Sequence, residues 1–594
     1  MEGEHLASWA FEASWEVCNK VGGIYTVVTS KANQMMHYYG SQYVTVGPYI
    51  IDRIAGEFVE ELSPPAFKDA FSVLKAQGIH CHWGKWLVKG QPNTILIDFQ
   101  EFTTQLNAYK GLMWEKYGID TLGTQYFDYD QPFIWSIAVG KLIEALADKL
   151  PPKIVLHCHE WLAGAAILYI KQARPDIATV FTTHATILGR TLASAQKDLY
   201  DLLDKIDPVK EAYSLGIQAK HLTEMKSAQL ADVFTTVSEI TGMEAEKFLL
   251  RKPDVLLLNG LDFSKFPTFE EITIKHSLYK QKMKEFLVSY FFPYYSFDLT
   301  NTLFFFIAGR YEFRDKGIDI FINALGKLNE QLKEECSAKT IVAFIWVPAA
   351  IRAIRHELLE SRTFYTDVIE SVDENFDDIR LQILHSLVVG TDLRESDMFD
   401  EQTRDDIRKK VLKFKKKGLP SLSTHELSNE YGDDILRTCA ALGLHNRNED
   451  RVKIIFYPIY LTGADGLLDL NYYESMMASH LGIFPSYYEP WGYTPLEGAA
   501  LGVSSITTDL AGFGKYVQTL GKDTKGVFVL NRLHVNEKEV TAQLSSFMFN
   551  YCHLTKEERI NYKLEARKIA AQCDWKRFVL SYIRAHDLAV EKVR

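Results

Sequence analysis

The chain has 594 residues, of which 47% are hydrophobic and 24% charged, and its formal net charge is -11. A chain of this length exceeds what one hydrophobic core supports, so two or more domains are expected. The acidic balance argues against a protein that coats nucleic acid or an anionic membrane, and no apolar run reaches the length of a membrane span.

The cysteines and the N-terminal residues indicate a cellular location. Seven cysteines are scattered along the chain without a CxxC pair, which predicts free thiols in a reducing compartment. The N-terminal Met-Glu-Gly-Glu-His is not part of a basic, apolar signal sequence. The expected location is therefore cytoplasmic.

Short β-branched apolar segments alternate with longer segments that have helical patterns. In the first half they predict buried strands at residues 43–47, 153–156, 179–183, 233–237 and 255–258. In the second half the same pattern predicts strands at 303–308, 341–346, 453–457, 481–485, 504–507 and 526–530. Such alternation is typical of α/β domains with a doubly wound parallel sheet.

The breaks in this pattern predict the domain organisation. Strand periodicity stops near residues 263–269, which suggests two Rossmann-like domains, at 1–268 and at 269–575. Residues of about 350–450 are polar, highly charged and poor in strand signals, so we expect a helical insertion in the second domain. From residue 536 onward the pattern is helical.

The segment Asn19–Tyr25 (Asn-Lys-Val-Gly-Gly-Ile-Tyr) contains two glycines that open a predicted helix. Glycine lets backbone N–H groups approach an anion, and the N-terminus of a helix favours negative charge. Lys20 adds a cation beside Gly23. The alternative interpretation is a tight turn without a ligand.

Two further motifs directly follow predicted strands, one in each domain. His184 and Arg190 follow the strand at 179–183, while Arg310 and Lys316 follow the strand at 303–308. Ligands of open α/β sheets bind at the carboxyl edge of the strands, where these side chains are expected. Arg310 and Lys316 are suited to clamp a diphosphate, and the alternative is a charged surface turn.

The segment from Glu489 to Glu497 (Glu-Pro-Trp-Gly-Tyr-Thr-Pro-Leu-Glu) predicts a helix start with Thr494 as N-cap and Pro at the first helical position. The N–H groups of Gly492, Tyr493 and Thr494 would then be available to a phosphate. Glu489 precedes them and can accept hydrogen bonds from sugar hydroxyls. For Glu497 alone, the alternative is a capping-box partner.

The sequence His157-Cys158-His159-Glu160 contains residue types that bind metals. On a strand, however, His157 and His159 share one face while Cys158 points away, so structural hydrogen bonding is the preferred interpretation. No metal site is predicted.

Taken together, these motifs resemble a known family. The spacing of Glu489 and Glu497 matches the Glu-x7-Glu motif of retaining glycosyltransferases with the GT-B fold. The longer string 484–497 is similar to the glycogen synthases of animals and fungi, and so are 19–25, 157–164, 182–190 and 309–317. The resemblance covers nearly the whole chain, with the motifs in the right order.

The resemblance implies a GT-B fold in which two Rossmann-like domains face a central cleft, with the acceptor on the first domain. It implies UDP-glucose as donor substrate, an α-1,4-glucan such as glycogen as acceptor, retention of the anomeric configuration, and no other cofactor or metal. Glu489 would bind the glucose, His184 its reacting end, and Glu497 the ribose. The remaining implied contacts are to the diphosphate and catalytic centre (Lys20, Gly23, Arg190, Arg310, Lys316) and to the uracil (Tyr472, with Tyr460 nearby).

The resemblance also implies an assembly. A homo-oligomer, a tetramer held by the inserted helices, is expected, and a glycogenin-like primer protein is a possible partner. A C-terminal helix, 576–594, would cross back to the first domain. The family's arginine-rich helix corresponds to residues 559–568, which hold only four cations, so weak or altered control by glucose 6-phosphate is predicted.

Two alternatives stay open at this point. One is another retaining GT-B glucosyltransferase, such as a starch, sucrose or trehalose phosphate synthase. The other is a catalytically silent scaffold that binds glucan. The string around Glu489 argues against the first, and the intact cations Lys20, Arg310 and Lys316 argue against the second.

Overall fold

The computed structural model describes residues 5–392, 399–521 and 524–593, and two β-sheets organise it. The first sheet has nine strands in the order β3-β4-β5-β2-β1-β6-β7-β8-β9. The pairings of β4 with β3 and β5 are antiparallel, and the others are parallel. The strands are β1 (Trp9–Ala13), β2 (Tyr43–Pro48), β3 (Phe58–Glu60), β4 (His80–Trp86), β5 (Asn93–Asp98), β6 (Ile154–His159), β7 (Ala178–Thr183), β8 (Val233–Thr236) and β9 (Val255–Leu256).

The second sheet is parallel throughout and has the order β14-β11-β10-β15-β16-β17. Two further strands, β12 and β13, pair as a separate antiparallel ribbon. These strands are β10 (Thr302–Ala308), β11 (Thr340–Trp346), β12 (Ile351–Ile354), β13 (His425–Leu427), β14 (Val452–Phe456), β15 (Leu481–Ile483), β16 (Ser504–Thr508) and β17 (Val527–Leu530).

Helices connect the strands and cover both faces of each sheet. In the first half they are Gly23–Tyr39, Ile51–Ile54, Pro65–Lys75, Leu106–Tyr117, Gln131–Ala147, Glu160–Ala173, Ile187–Ser194, Leu199–Leu202, Pro208–Ser214, Gln218–Leu230 and Glu239–Phe248. In the second half they are Phe269–Phe291, Ile318–Glu334, His356–Glu374, Phe376–Val389, Glu401–Phe414, Asp434–Ala441, Tyr472–Ala478, Tyr493–Ala500, Gly512–Leu520, Glu537–His553, Lys556–Ala571 and Trp575–Val593. None of the described helices is long and apolar enough to cross a membrane.

The predicted α/β architecture is confirmed, and most predicted strands lie within a few residues of their observed bounds. The predicted strands do not include β1, β3, β4 or β5. The sequence of β4 is His-Cys-His-Trp-Gly-Lys-Trp, which lacks the β-branched residues that favour a strand. The region of about 350–450, expected to be a helical insertion, also contains the β12–β13 ribbon, although helices dominate it.

The core of the first domain shows why its strands are nearly continuous apolar runs. Successive residues of β6 point to opposite faces, and both faces are buried. Leu156 packs in the cluster of the helices Gln131–Ala147 and Glu160–Ala173, whereas Val155 packs in the cluster of Gly23–Tyr39 and Trp575–Val593. The final helix, which comes after the whole second domain, therefore completes the core of the first.

The helix Phe269–Phe291 marks the passage to the second domain. It begins with a capping box, in which the Thr268 hydroxyl accepts from the Glu271 N–H and the Glu271 carboxylate accepts from the Thr268 N–H. Its buried residues Phe286 and Leu287 pack in one hydrophobic cluster with Phe304 of β10. This helix therefore belongs to the core of the second domain.

Candidate active site

Side chains from both domains meet at the cleft. The Tyr488 hydroxyl of the second domain lies 3.3 Å from Oε2 of Glu244 in the first. The Arg314 guanidinium donates to the Gln196 carbonyl oxygen at 2.6 Å and pairs with Asp198. The loops that carry the predicted motifs therefore face each other across contacting domains.

An ion pair occupies the carboxyl edge of the second sheet. Nζ of Lys316, which follows β10, lies 2.6 Å from Oε2 of Glu489, which follows β15. These side chains are 17% and 20% exposed, and with Thr494 they line a small cavity. The structure thus joins two predicted site residues that are 173 positions apart.

The helix beside this ion pair starts earlier than predicted. Gly492, not Thr494, is the N-cap, and the helix runs from Tyr493 to Ala500. The cause is the left-handed conformation of Gly492 (φ 103), which turns the chain into the helix two residues sooner. Among the residues that the structure describes, no side chain caps this N-terminus. Its N–H groups therefore retain the positive end of the helix dipole for an anion.

Arg310 lies on the same loop but stands apart from the ion pair. Its side chain is 71% exposed, and its guanidinium lies 2.9 Å from the Glu312 carboxylate. The loop is held close to β15 at Gly317 (φ +71), where a Cβ atom would meet the Pro485 carbonyl oxygen at 2.0 Å. Arg310 is thus a cation at the cleft that the protein leaves accessible.

Arg190 lies on the helix Ile187–Ser194 of the first domain, and its side chain is exposed. Desolvation acts to lower the pKa of Arg190, but the carboxylates of Glu160 and Glu312 and the hydroxyl of Tyr488 raise it overall. Glu312 and Tyr488 belong to the second domain, so groups of both domains contribute to the pKa of Arg190. The two predicted arginines are thus exposed cations, one on each domain.

Two tyrosines hold the carboxylate of Glu497. The Tyr473 hydroxyl donates to Oε1 at 2.9 Å, and the Tyr472 hydroxyl lies 3.4 Å from Oε2. Desolvation raises the pKa of Glu497 to about 7. The capping role considered for Glu497 is wrong, because its carboxylate contacts tyrosines. Tyr460 is 75% exposed and outside this group.

His184 is fixed by both its backbone and its ring. Its N–H donates to Oε1 of Glu160 at 2.8 Å, and its Nε2 lies 2.9 Å from Nδ1 of His159. Glu160 itself has a left-handed backbone (φ 64), a conformation that non-glycine residues adopt rarely. His159 continues to Glu12 on β1, whose Oε1 lies 2.6 Å from Nε2. A strained backbone and a buried polar network thus support this side chain.

The glycine motif already holds an anionic group of the protein. The Glu16 carboxylate accepts from the Gly22 and Tyr25 N–H groups, both at 2.8 Å, at the start of the helix Gly23–Tyr39. Lys20 is exposed nearby, and its Nζ lies 5.7 Å from the centroid of the Tyr25 ring. These N–H groups thus bind a carboxylate of the protein itself, and the roles of Lys20 and Gly23 toward a phosphate stay predictions. Glu16 is a competing group that the pattern does not predict.

The histidines of β6 lie in a group with metal-binding chemistry. Glu12, His157 and His159 each offer a ligand atom, and these atoms lie within 4.8 Å of one another. The Lys31 ammonium already pairs with Oε1 of Glu12. His157 bonds to His586 at 3.1 Å and to Thr182 at 2.6 Å. The observed contacts are those of a hydrogen-bond network. Glu12 in the apolar run Trp-Ala-Phe-Glu-Ala is the one signal that could have revealed it.

A second group of cations lies on the helices behind the second sheet. Lys563, within the stretch 559–568, contacts His276 at 3.3 Å, and Lys280 lies 3.0 Å from His480. Desolvation and the charges of Lys280 and Arg559 lower the pKa of Lys563 to about 7. Cations packed so closely are compatible with a phosphate-bearing effector. Weak or altered control by glucose 6-phosphate stays a prediction.

Comparison with known proteins identifies relatives of the chain. The chain is 36% identical to a glycogen [starch] synthase of Neurospora crassa and 35% identical to that of human liver, in each case over 98% of this chain and 83% of the relative. Isoform 2 of Saccharomyces cerevisiae is 36% identical over 98% of this chain and 86% of its own length.

A solved structure gives the fold. The catalytic domain of starch synthase IV from Arabidopsis thaliana, bound to ADP and acarbose, superposes with a TM-score of 0.53 at 14% identity, covering 98% of this chain and all of that one. It confirms the GT-B fold. The glycogen synthase family model matches residues 12–594. The chain therefore belongs to the glycogen synthase family and is a glycosyltransferase.

Proposed function

We propose that the protein transfers glucose from UDP-glucose to the non-reducing end of an α-1,4-glucan such as glycogen, with retention of the anomeric configuration. The observation that carries this proposal is the Lys316–Glu489 ion pair at an uncapped helix N-terminus. It places a cation for phosphate, a carboxylate for sugar hydroxyls and free N–H groups within one small site. No further cofactor takes part in the proposed reaction.

The leaving group requires the most stabilisation. As the bond from glucose to the diphosphate breaks, negative charge grows on the phosphate oxygens. Lys316, Arg310 and the N–H groups of Tyr493 and Thr494 are suited to receive it, with Arg190 and Lys20 from the other domain. Groups fixed before reaction stabilise such charge without the cost of reorganisation.

The sugar and the nucleoside have separate partners under this proposal. Glu489 accepts hydrogen bonds from glucose hydroxyls, and His184 contacts the reacting end from the opposite wall. Glu497 accepts from the ribose, while Tyr472 stacks on the uracil. The acceptor hydroxyl attacks from the face that the diphosphate leaves, and closure of the cleft excludes the water that would hydrolyse the donor.

The test is release of UDP with glycogen as acceptor. The substitution Glu489→Gln removes the charge that pairs with Lys316 and should lower kcat by about 10²–10³-fold, as expected for loss of one preorganised charged contact. Glu565→Gln is a matched control, since it breaks a surface ion pair of similar length, 2.7 Å. It should retain wild-type activity.

Each other outcome has a defined meaning. Equal activity of wild type and Glu489→Gln would contradict the assigned role of Glu489. A wild type without UDP release would favour the silent scaffold. Faster release with a small sugar phosphate or fructose as acceptor than with glycogen would favour a trehalose phosphate or sucrose synthase activity.

The proposal extends to a homo-oligomer, a tetramer in the family. The helix Phe376–Val389 in the insertion exposes a row of apolar side chains, including Leu381 (63%), Leu387 (74%) and Val388 (87%). Such an exposed row supports burial against a second copy. Light scattering should show a smaller particle for Leu387→Glu than for the wild type.

Two other expectations stay predictions. The first is a glycogenin-like primer protein as partner. The second is a cytoplasmic location. All seven cysteines are free and five of them are buried, which supports a reducing compartment.

A further inference from the structure

A chain of three buried side chains ends at His184. Nε2 of His184 lies 2.9 Å from Nδ1 of His159, and Nε2 of His159 lies 2.6 Å from Oε1 of Glu12. Glu12 and His159 are at most 1% exposed, and His184 is 7% exposed. The chain runs from β1 through the end of β6 to the loop after β7, so it crosses three neighbouring strands of one sheet.

The proton positions along this chain follow from its inner end. Glu12 also accepts from Lys31 and, at 2.5 Å, from the Tyr43 hydroxyl. Burial alone would raise the pKa of Glu12, but Lys31 and His159 hold it well below its usual range, so the group is a carboxylate and only accepts. Nε2 of His159 must therefore carry the hydrogen.

The next two steps follow in the same way. Burial lowers the pKa of His159, so its ring is neutral and its Nδ1 has a lone pair. Nε2 of His184 therefore donates to it. Burial and His159 lower the pKa of His184 well below its usual range, which leaves its Nδ1 without a hydrogen. Among the described residues, no hydrogen bond to this Nδ1 occurs.

We infer that Glu12 and His159 are positioning residues, which hold His184 in the tautomer whose Nδ1 accepts a hydrogen bond from a hydroxyl of the donor glucose. This inference rests on the proposed function and specifies how one of its residues recognises the substrate. A nitrogen that only accepts selects for a sugar hydroxyl. It gives no stabilisation to a substituent without a hydrogen, and such a site discriminates strongly.

The first experiment compares two histidines on one strand. His159→Phe removes the link between His184 and Glu12. His157→Phe is the control: its ring centroid lies 4.5 Å from that of His159, but its hydrogen bonds are to His586 and Thr182. Both rings are buried, so similar losses of thermal stability are expected. UDP release with glycogen should fall by about 10–100-fold in His159→Phe, equivalent to one hydrogen bond between buried groups. It should change less than about threefold in His157→Phe.

A conservative variant separates positioning from packing. His159→Asn retains an amide oxygen near the place of Nδ1 and should recover part of the lost kcat. Analogues of UDP-glucose in which one sugar hydroxyl at a time is replaced by fluorine give the second readout. The wild type should discriminate against one analogue more than His159→Phe does. A purely structural defect would slow all analogues equally.

The third readout needs no turnover. Nitrogen NMR of histidine-labelled wild type, with the His184 signals identified by their loss in His184→Gln, should show a hydrogen on Nε2 and none on Nδ1. A hydrogen on Nδ1, or equal activities of His159→Phe and His157→Phe, would overturn the inference. A wild type that shows this tautomer but releases no UDP would instead contradict the proposed function alone.

Discussion

In the described part of the chain, a lysine–glutamate ion pair lies in each wall of the cleft, and the two pairs differ in their surroundings. Lys31 and Glu12 in the first domain are fully buried, and the same carboxylate also bonds to His159 and Tyr43. Lys316 and Glu489 in the second domain are partly exposed at the edge of a cavity. The first wall is therefore fixed by its own contacts, while the second keeps charges that a substrate can engage.

The same substitution in each pair tests this contrast. Lys31→Met leaves the Glu12 carboxylate buried without its main counter-charge, so the free energy of unfolding should fall by about 3–5 kcal/mol. Urea unfolding against the wild type measures this loss. The double variant Lys31→Met with Glu12→Gln should regain part of it, because no buried charge is then left unpaired. A single-variant loss below about 1 kcal/mol would contradict the assignment of this pair as structural.

Lys316→Met should have the opposite balance. Under the proposed function Lys316 stabilises the departing diphosphate, so its loss should lower kcat by about 10²–10³-fold. Because the pair is partly exposed, the free energy of unfolding should change by no more than about 1 kcal/mol. UDP release measures kcat, and urea unfolding of the same preparation measures the free energy of unfolding. If Lys316→Met lost stability but kept its activity, the Lys316–Glu489 pair would be structural, like the Lys31–Glu12 pair.

The pKa of Glu497 makes donor binding on the second wall depend on pH. Under the proposed function the Glu497 carboxylate accepts from the ribose, and a protonated carboxyl would not accept equally well. Since the pKa of Glu497 is about 7, the affinity for UDP-glucose should rise by about tenfold from about pH 6 to about pH 8 and then level. Calorimetry without acceptor measures it. Glu497→Gln should be weaker and flat with pH, and an unchanged slope in that variant would assign the effect elsewhere.

Tyr473→Phe should give the smallest effect. Its hydroxyl donates to Glu497 at 2.9 Å and lowers the pKa of that carboxyl against the desolvation that raises it. Without this bond the pKa should rise further, and the pH midpoint of donor binding should move upward by about half a unit to one unit. A midpoint that moved downward would contradict this role for Tyr473.

The sequence predicted the parts of the site that depend on one segment at a time. Residues after apolar strands, such as His184 and Lys316, lie at the carboxyl edges of the sheets because parallel strands share an edge. The bond between His159 and Glu12 depends on the register of β1 against β6, which pairs Glu12 with His157, and no local pattern encodes it. The early helix start at Gly492 depends on one backbone angle. The strand β4 was hidden by its polar, aromatic composition.

The final helix, Trp575–Val593, has a consequence for synthesis of the protein. The Nζ atom of Lys31 lies 4.6 Å from the centroid of the Tyr582 ring in this helix. The ring of His586 forms hydrogen bonds with His157 and, at 2.9 Å, with the Tyr39 hydroxyl. These residues stand directly behind the buried wall of the cleft. On the ribosome, domains generally fold in the order in which they emerge. Here the first domain lacks part of its core until the second has been translated, so a nascent chain cannot assemble a finished cleft early.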